Sequence, residues 1–243
     1  MNKPDYISNP DWEILKEKYS ETKLAKYFAK NYPYQYLIGN VEFYGYPIIV
    51  NKHVLIPRWE TEDLVDRVIK EIKKAQLKIK KAIDICTGSG CIAIALAKEL
   101  NIPLIAVDKS SKALKVAKKN AKLNNITIEF KKMDVLKEGF KEKYNLIICN
   151  PPYVSYNEEV GKETKYEPQM ALFAENDGLE FYEHLLKILP NHVEDKYLIA
   201  FEIGVNQKPQ LNQLAKKYFP QAAITFEKDL NNRERFLFIK MFE

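Results

Sequence analysis

From Ala82 to the end of the chain, short apolar runs alternate with amphipathic stretches, and no other feature limits the fold so tightly. Ala82–Cys86 reads as a strand, Thr87–Gly90 as a tight loop and Cys91–Leu100 as a helix. Leu104–Asp108 is a second strand, Ser110–Leu123 a helix and Ile126–Lys131 a third strand. Tyr144–Cys149 is a fourth, apolar along nearly its whole length, as a strand covered on both faces should be. Helices at Gly178–Leu189 and Gln207–Tyr218 flank a strand at Tyr197–Glu202. Two β-type runs, Ala223–Glu227 and Arg235–Met241, close the chain around the polar turn Asp229–Asn232. Repeated strand–helix–strand units with right-handed crossovers give an α/β fold with a doubly wound, mostly parallel sheet. So short a final turn makes the last two strands antiparallel.

Upstream, residues 10–31 carry two helical stretches, with Trp12, Leu15 and Tyr19 on one face and Leu24, Tyr27 and Phe28 continuing it. They are too short for a core of their own, so they should dock on the main body or on a partner. Val41–Tyr44 and Pro47–Val50 form a hairpin about Gly45. Thr61 reads as the N-cap of a helix whose stripe is Leu64, Val65, Val68, Ile69 and Ile72. The lysine-rich stretch from Lys70 to Lys81 is its wet end. The chain thus divides into an N-terminal helical segment (1–31) for substrate docking, a hairpin with its connecting helix (32–78), and the main domain (79–243).

A chain of 243 residues with 46% hydrophobic content supports a proper core. The net charge of +5 comes from scattered lysines and favours a polyanionic partner only weakly. Cys86, Cys91 and Cys149 make no C-x-x-C pair, which suits reduced thiols in a cytoplasmic protein. His53, His184 and His192 are too dispersed for a metal site, and neither a signal peptide nor a membrane span is expected.

Chemistry concentrates at strand ends. Gly88 and Gly90, in Asp84-Ile85-Cys86-Thr87-Gly88-Ser89-Gly90, let the backbone approach a ligand at a helix N-terminus. Asp108 ends the next strand, where an acid takes ribose hydroxyls. A glycine-x-glycine turn of this kind also fits nicotinamide enzymes or a purely structural loop. Two features favour S-adenosyl-L-methionine: a carboxylate at Asp84 suits a cationic amino-acid end better than a pyrophosphate, and Asn150-Pro151-Pro152-Tyr153 follows the fourth strand. An Asn side chain and a proline-fixed carbonyl can accept both hydrogens of an NH2 group, with Tyr153 offering a plane to the substrate. Asp134 stands where a group would bond the adenine amine, with Val135 beside the ring; a surface acid in a loop is the plain alternative.

Asn150–Tyr153, Asp84–Gly90 and Leu55-Ile56-Pro57-Arg58-Trp59-Glu60-Thr61-Glu62 together resemble the protein-glutamine N5-methyltransferases that act on peptide chain release factors. The similarity runs from about Tyr34 onward and includes Tyr166-Glu167-Pro168 and Phe201-Glu202-Ile203-Gly204. The resemblance implies a class I, Rossmann-like methyltransferase fold and a release-factor substrate with a Gly-Gly-Gln loop. It implies cofactor contacts from Asp84, Cys86, Thr87, Gly88, Ser89, Gly90, Asp108, Asp134, Val135 and Asn150. Arg58, Asn150, Pro151, Pro152 and Tyr153 fall on the substrate side, with Asn150, Pro151 and Tyr153 catalytic. No metal and no direct nucleic-acid partner are implied, and a monomer is expected. Three departures stand out. Cys86 replaces the usual glycine and fits there if its φ is negative; Trp59 replaces a proline; the N-terminal helical part is short. The rivals are the same chemistry on a large-subunit ribosomal protein, an adenine methyltransferase acting on nucleic acid, and a non-catalytic cofactor-binding module.

Overall fold

The computed structural model describes residues 2–242. Met1 and Glu243, the outer ends of the segments 1–31 and 79–243, lie outside that range. A seven-stranded sheet forms the centre. Four neighbouring strands are parallel to one another: β3 (Ala82–Ile85), β4 (Leu104–Asp108), β5 (Glu129–Lys132) and β6 (Tyr144–Cys149). Beyond β6 lies β9 (Val193–Glu202), also parallel, then β11 (Glu234–Met241) and β10 (Ala223–Lys228), both joined antiparallel. The spatial order is β10-β11-β9-β6-β3-β4-β5, so the chain leaves β3 toward β4 and β5 before returning to β6 on the other side. That reversal opens a crevice at the carboxyl ends of the strands.

Residue parity along each strand builds the two faces. Ala82, Ala106, Leu146, Ile148, Ala200 and Phe238 face one side, with α4 (Trp59–Ala75), α5 (Cys91–Leu100) and α6 (Ser111–Leu123) against them. Ile83, Ile85, Ile147, Ile199, Phe201 and Leu237 face the other, under α7 (Glu180–Ile188) and α8 (Lys208–Tyr218). Both faces being covered is why the central strands read as continuous apolar runs. The hairpin of β1 (Asn40–Phe43) and β2 (Tyr46–Ile49) is clamped to α6: buried Asn120 bonds both the N–H and the carbonyl of Ile49, at 2.7 and 3.0 Å. Helices α1 (Asn9–Lys18) and α2 (Glu21–Ala29) bury Trp12, Leu15 and Leu24 with Leu37 and Ile38 of α3 (Tyr34–Ile38) in a separate cluster.

Three local expectations change. Thr61 is not a cap: α4 begins at Trp59 after Arg58, and Thr61 is buried inside the first turn. The strand expected from Ile126 starts only at Glu129, because the Ile126 N–H closes α6 by bonding the Ala121 carbonyl. A two-stranded pair, β7 (Val154–Ser155) with β8 (Phe173–Ala174), lies in a stretch where no strand was expected.

Candidate active site

Strand register assembles the site before any side chain is considered. Ile85 pairs with Cys149, and Cys149 with Phe201, so Cys86, Asn150 and Glu202 leave three adjacent strands at one level. Above them lies a cavity of about 340 Å³ walled by the ends of β3, β4, β5 and β6. Of the residues expected to hold a cofactor, Cys86, Gly88, Asp108, Asp134, Val135 and Asn150 line it. Asp84, Thr87, Ser89 and Gly90 support it from behind, the first three almost fully buried.

The glycine loop is held from both ends. Thr87 donates its N–H to the Val107 carbonyl, and the Gly88 N–H meets Asp108 Oδ2 at 2.9 Å. Asp108 Oδ1 accepts from the Ser110 N–H at 2.7 Å. Each oxygen of that carboxylate keeps a lone pair, and burial pushes its pKa up. Asp84 is fully buried; Oδ2 accepts from the Thr87 hydroxyl at 2.5 Å, while Oδ1 has no hydrogen-bond partner among the described residues. Burial drives its pKa up to about 7, against the pull of Thr87 and with the Asp108 charge adding to the rise. An under-satisfied buried acid beside a glycine loop suits a cationic group. Asp134 is paired with Lys109 at 3.0 Å, and that ammonium outweighs partial burial to hold its carboxyl below the usual range.

Cys86 overturns the expectation of a negative φ. Its φ is 61°, in the left-handed region, where a non-glycine residue costs on the order of 1–2 kcal/mol. The thiol packs into the apolar cluster that contains Cys149, which offsets part of that strain.

On the acceptor side, Asn150 and Pro152 line the cavity while Pro151 and Tyr153 do not. Asn150 Nδ2 donates to the Thr61 hydroxyl at 3.1 Å, and Thr61 donates to Glu202 Oε2 at 2.7 Å. Tyr153 donates its phenol to Glu202 Oε1 at 3.0 Å; burial and that carboxylate push its pKa far up. Gln207 holds the Tyr153 carbonyl at 3.1 Å. Gly178, at φ +80°, lets the backbone pass so close that a Cβ there would sit 2.0 Å from that same carbonyl oxygen. Arg58 is away from the cavity wall, ion-paired with Glu167 and bonded to the Ile56 carbonyl at 2.9 Å. Glu167 also accepts from the Ile56 N–H, so this pair ties the segment before α4 to the loop ahead of β8.

Sequence reasoning missed Glu202, the buried partner of Thr61 and Tyr153, and the roof residues His53, Tyr156, Phe173 and Phe181. A buried acid closing the strand at 197–202 was the available signal for Glu202. The roof comes from irregular loops and a helix start, which carry no periodic mark. Among the described residues, no cluster of three or more metal-ligating side chains occurs and no helix is long and apolar enough to cross a membrane.

The family model for the methyltransferase small domain matches residues 63–175. A release factor glutamine methyltransferase from Enterococcus faecalis is 41% identical over 223 residues, covering 90% of this chain and 79% of that protein. One from Flavobacterium psychrophilum is 39% identical over 242 residues, 97% of this chain and 81% of that protein. Among solved structures, the release-factor-specific protein-(glutamine-N5) methyltransferase of Alicyclobacillus acidocaldarius superposes with a TM-score of 0.50 at 22% identity, covering 77% of this chain and 95% of that one. The ribosomal protein L11 methylase of Lactobacillus delbrueckii gives 0.59 at 22% identity, over 81% and 86%. The two structural likenesses bear on the fold alone.

Proposed function

The chain belongs to the release factor glutamine methyltransferase family, and from that premise we propose how this site methylates the N5 amide of a glutamine in the Gly-Gly-Gln loop of a peptide chain release factor. S-adenosyl-L-methionine fits the residues present and supplies a methyl group made electrophilic by its sulfonium. The Asp108 lone pairs would take its ribose, the Asp84 carboxylate would favour its ammonium, and Gly88 admits it against the backbone. Asp134 and Val135 lie where the adenine would rest.

An amide nitrogen is a weak nucleophile because its lone pair is delocalised into the carbonyl. Asn150 Oδ1 and the Pro151 carbonyl accept the two amide hydrogens, turn the nitrogen toward the cavity and stabilise the positive charge that grows on it. The proton leaves to solvent after transfer, so these residues need only bind and orient. Tyr153, held by Glu202, braces the loop from behind. The N-terminal helices contribute to docking of the protein substrate, which, as a translation factor, places the work in the cytoplasm. All these groups come from a single chain, in keeping with a monomer.

The observation that carries this reading is the Asn150 side chain on the cavity wall with its NH2 end already engaged by Thr61. The test is labelled-methyl transfer to purified release factor, ribosomal subunits and DNA, side by side. Label is expected on the release-factor glutamine and lost when that glutamine is replaced by alanine. Label only on a ribosomal protein or on DNA would overturn the proposal.

A further inference from the structure

We propose that Thr61 and Glu202 are positioning residues: the Glu202 carboxylate, acting through the Thr61 hydroxyl, holds the Asn150 amide with its oxygen toward the methyl acceptor. This rests on the reading above, in which Asn150 receives a glutamine amide. The two ends of an Asn side chain are nearly isosteric, and a flip exchanges an acceptor for a donor. Flipped, Asn150 would present N–H to the N–H of the incoming amide and repel it. Something must fix the choice.

The buried chain does so through the chemistry of its last member. An ionised carboxylate only accepts. Glu202 is 2% exposed, and both its oxygens are occupied, Oε1 by the Tyr153 hydroxyl at 3.0 Å and Oε2 by the Thr61 hydroxyl at 2.7 Å. Thr61 has one proton, and Glu202 takes it. Toward Asn150 the hydroxyl can then only accept, so the group 3.1 Å away is Nδ2 and the remaining end is Oδ1. Donation runs one way, from Asn150 to Thr61 to Glu202.

Position supports the same assignment. Thr61 is 3% exposed and makes no cap, since Arg58 occupies the residue before α4. Its hydroxyl instead spans to residues 89 and 141 positions away in the chain. Glu202 is itself fixed: Tyr182 donates to its carbonyl at 2.7 Å, and the next residue, Ile203, bonds the Arg235 carbonyl at 2.8 Å. Neither Thr61 nor Glu202 lines the cavity, so each acts on the acceptor only through another side chain.

The test is a mutant cycle on the full-length enzyme, with release factor as acceptor. Thr61→Val keeps shape and removes the hydroxyl. It is expected to lower kcat about 10–100-fold, with KM for the release factor changed far less and the calorimetric Kd for S-adenosylmethionine unchanged. Thr61→Ser, which restores the hydroxyl, is expected to bring kcat back to within about threefold of wild type. In an Asn150→Ala background, Thr61→Val should have no further effect, because the group it positions is gone. Should Thr61→Val lose its native circular dichroism, Thr61→Ala enters the same cycle with the same expectations. Wild-type kcat in a folded hydroxyl-free variant, or an undiminished loss in the Asn150→Ala background, would overturn the proposal. Wild-type transfer to the glutamine is the control, so failure of the functional reading is seen separately.

Discussion

Replacement of Asp108 tests the cofactor half of the site most fully, because both carboxylate oxygens have identified partners. Oδ2 holds the Gly88 N–H and Oδ1 the Ser110 N–H, leaving one lone pair on each for a ribose hydroxyl. Asp108→Asn keeps the shape but turns an NH2 group toward one of those backbone donors. An unsatisfied N–H in so buried a place costs about 1–3 kcal/mol of stability. Asp108→Ala removes both anchors and both ribose acceptors. A hydrogen bond to a charged group is worth about 1.5–3 kcal/mol, so cofactor affinity should fall roughly 10- to 150-fold. Calorimetric titration with S-adenosylmethionine reads the affinity, and thermal unfolding without ligand reads the stability. An unchanged Kd in folded Asp108→Ala would refute the placement of the ribose at the end of β4.

Gly178→Ala forces a Cβ to within 2.0 Å of the Tyr153 carbonyl oxygen at a φ of +80°. The backbone at Asn150–Tyr153 must shift, so stability should drop by about 3 kcal/mol, and methyl transfer should fall more than cofactor affinity; a native-like urea midpoint would contradict this. Asp84 gives a pH test in the cofactor-free protein. Its folded pKa of about 7 lies above its ordinary value, so the folded state binds the extra proton between those values. Stability is therefore fully present below the ordinary carboxylate range and lost as pH rises toward 7. Asp84→Asn, which can still accept from Thr87, should flatten that loss and leave the variant more stable than wild type at pH about 8; parallel urea midpoints across pH would show otherwise.

The central alternation was readable because its strands are covered on both faces and its helices on one. Cys91–Leu100, Leu104–Asp108 and Tyr144–Cys149 fall where apolar period and flanking glycines place them. The glycine loop and the Asn150–Tyr153 loop were readable for a related reason: each follows a strand directly, so strand register fixes their level. Thr61 was misread because a threonine followed by two acids has the local pattern of a cap, while its true partners lie far off in sequence. The edge strand β5 was misplaced because Asn125, at φ 51°, lets the chain close α6 through Ile126 before turning outward. Glu202 was visible as a residue but not as a partner, since only the β6–β9 register sets it beside Asn150. Cys86 shows the reverse case: the residue type suggested a negative φ, and the loop imposed a positive one.

The most direct measurement is single-turnover methyl transfer to a purified release factor by Asn150→Ala, with the product glutamine identified by tandem mass spectrometry. Cofactor affinity and circular dichroism should stay near wild type, while the transfer rate falls roughly 10²–10³-fold, the scale of losing one preorganised contact to a developing charge. A wild-type rate on the same glutamine would mean that Asn150 only shapes a turn, and that the acceptor amide is held elsewhere.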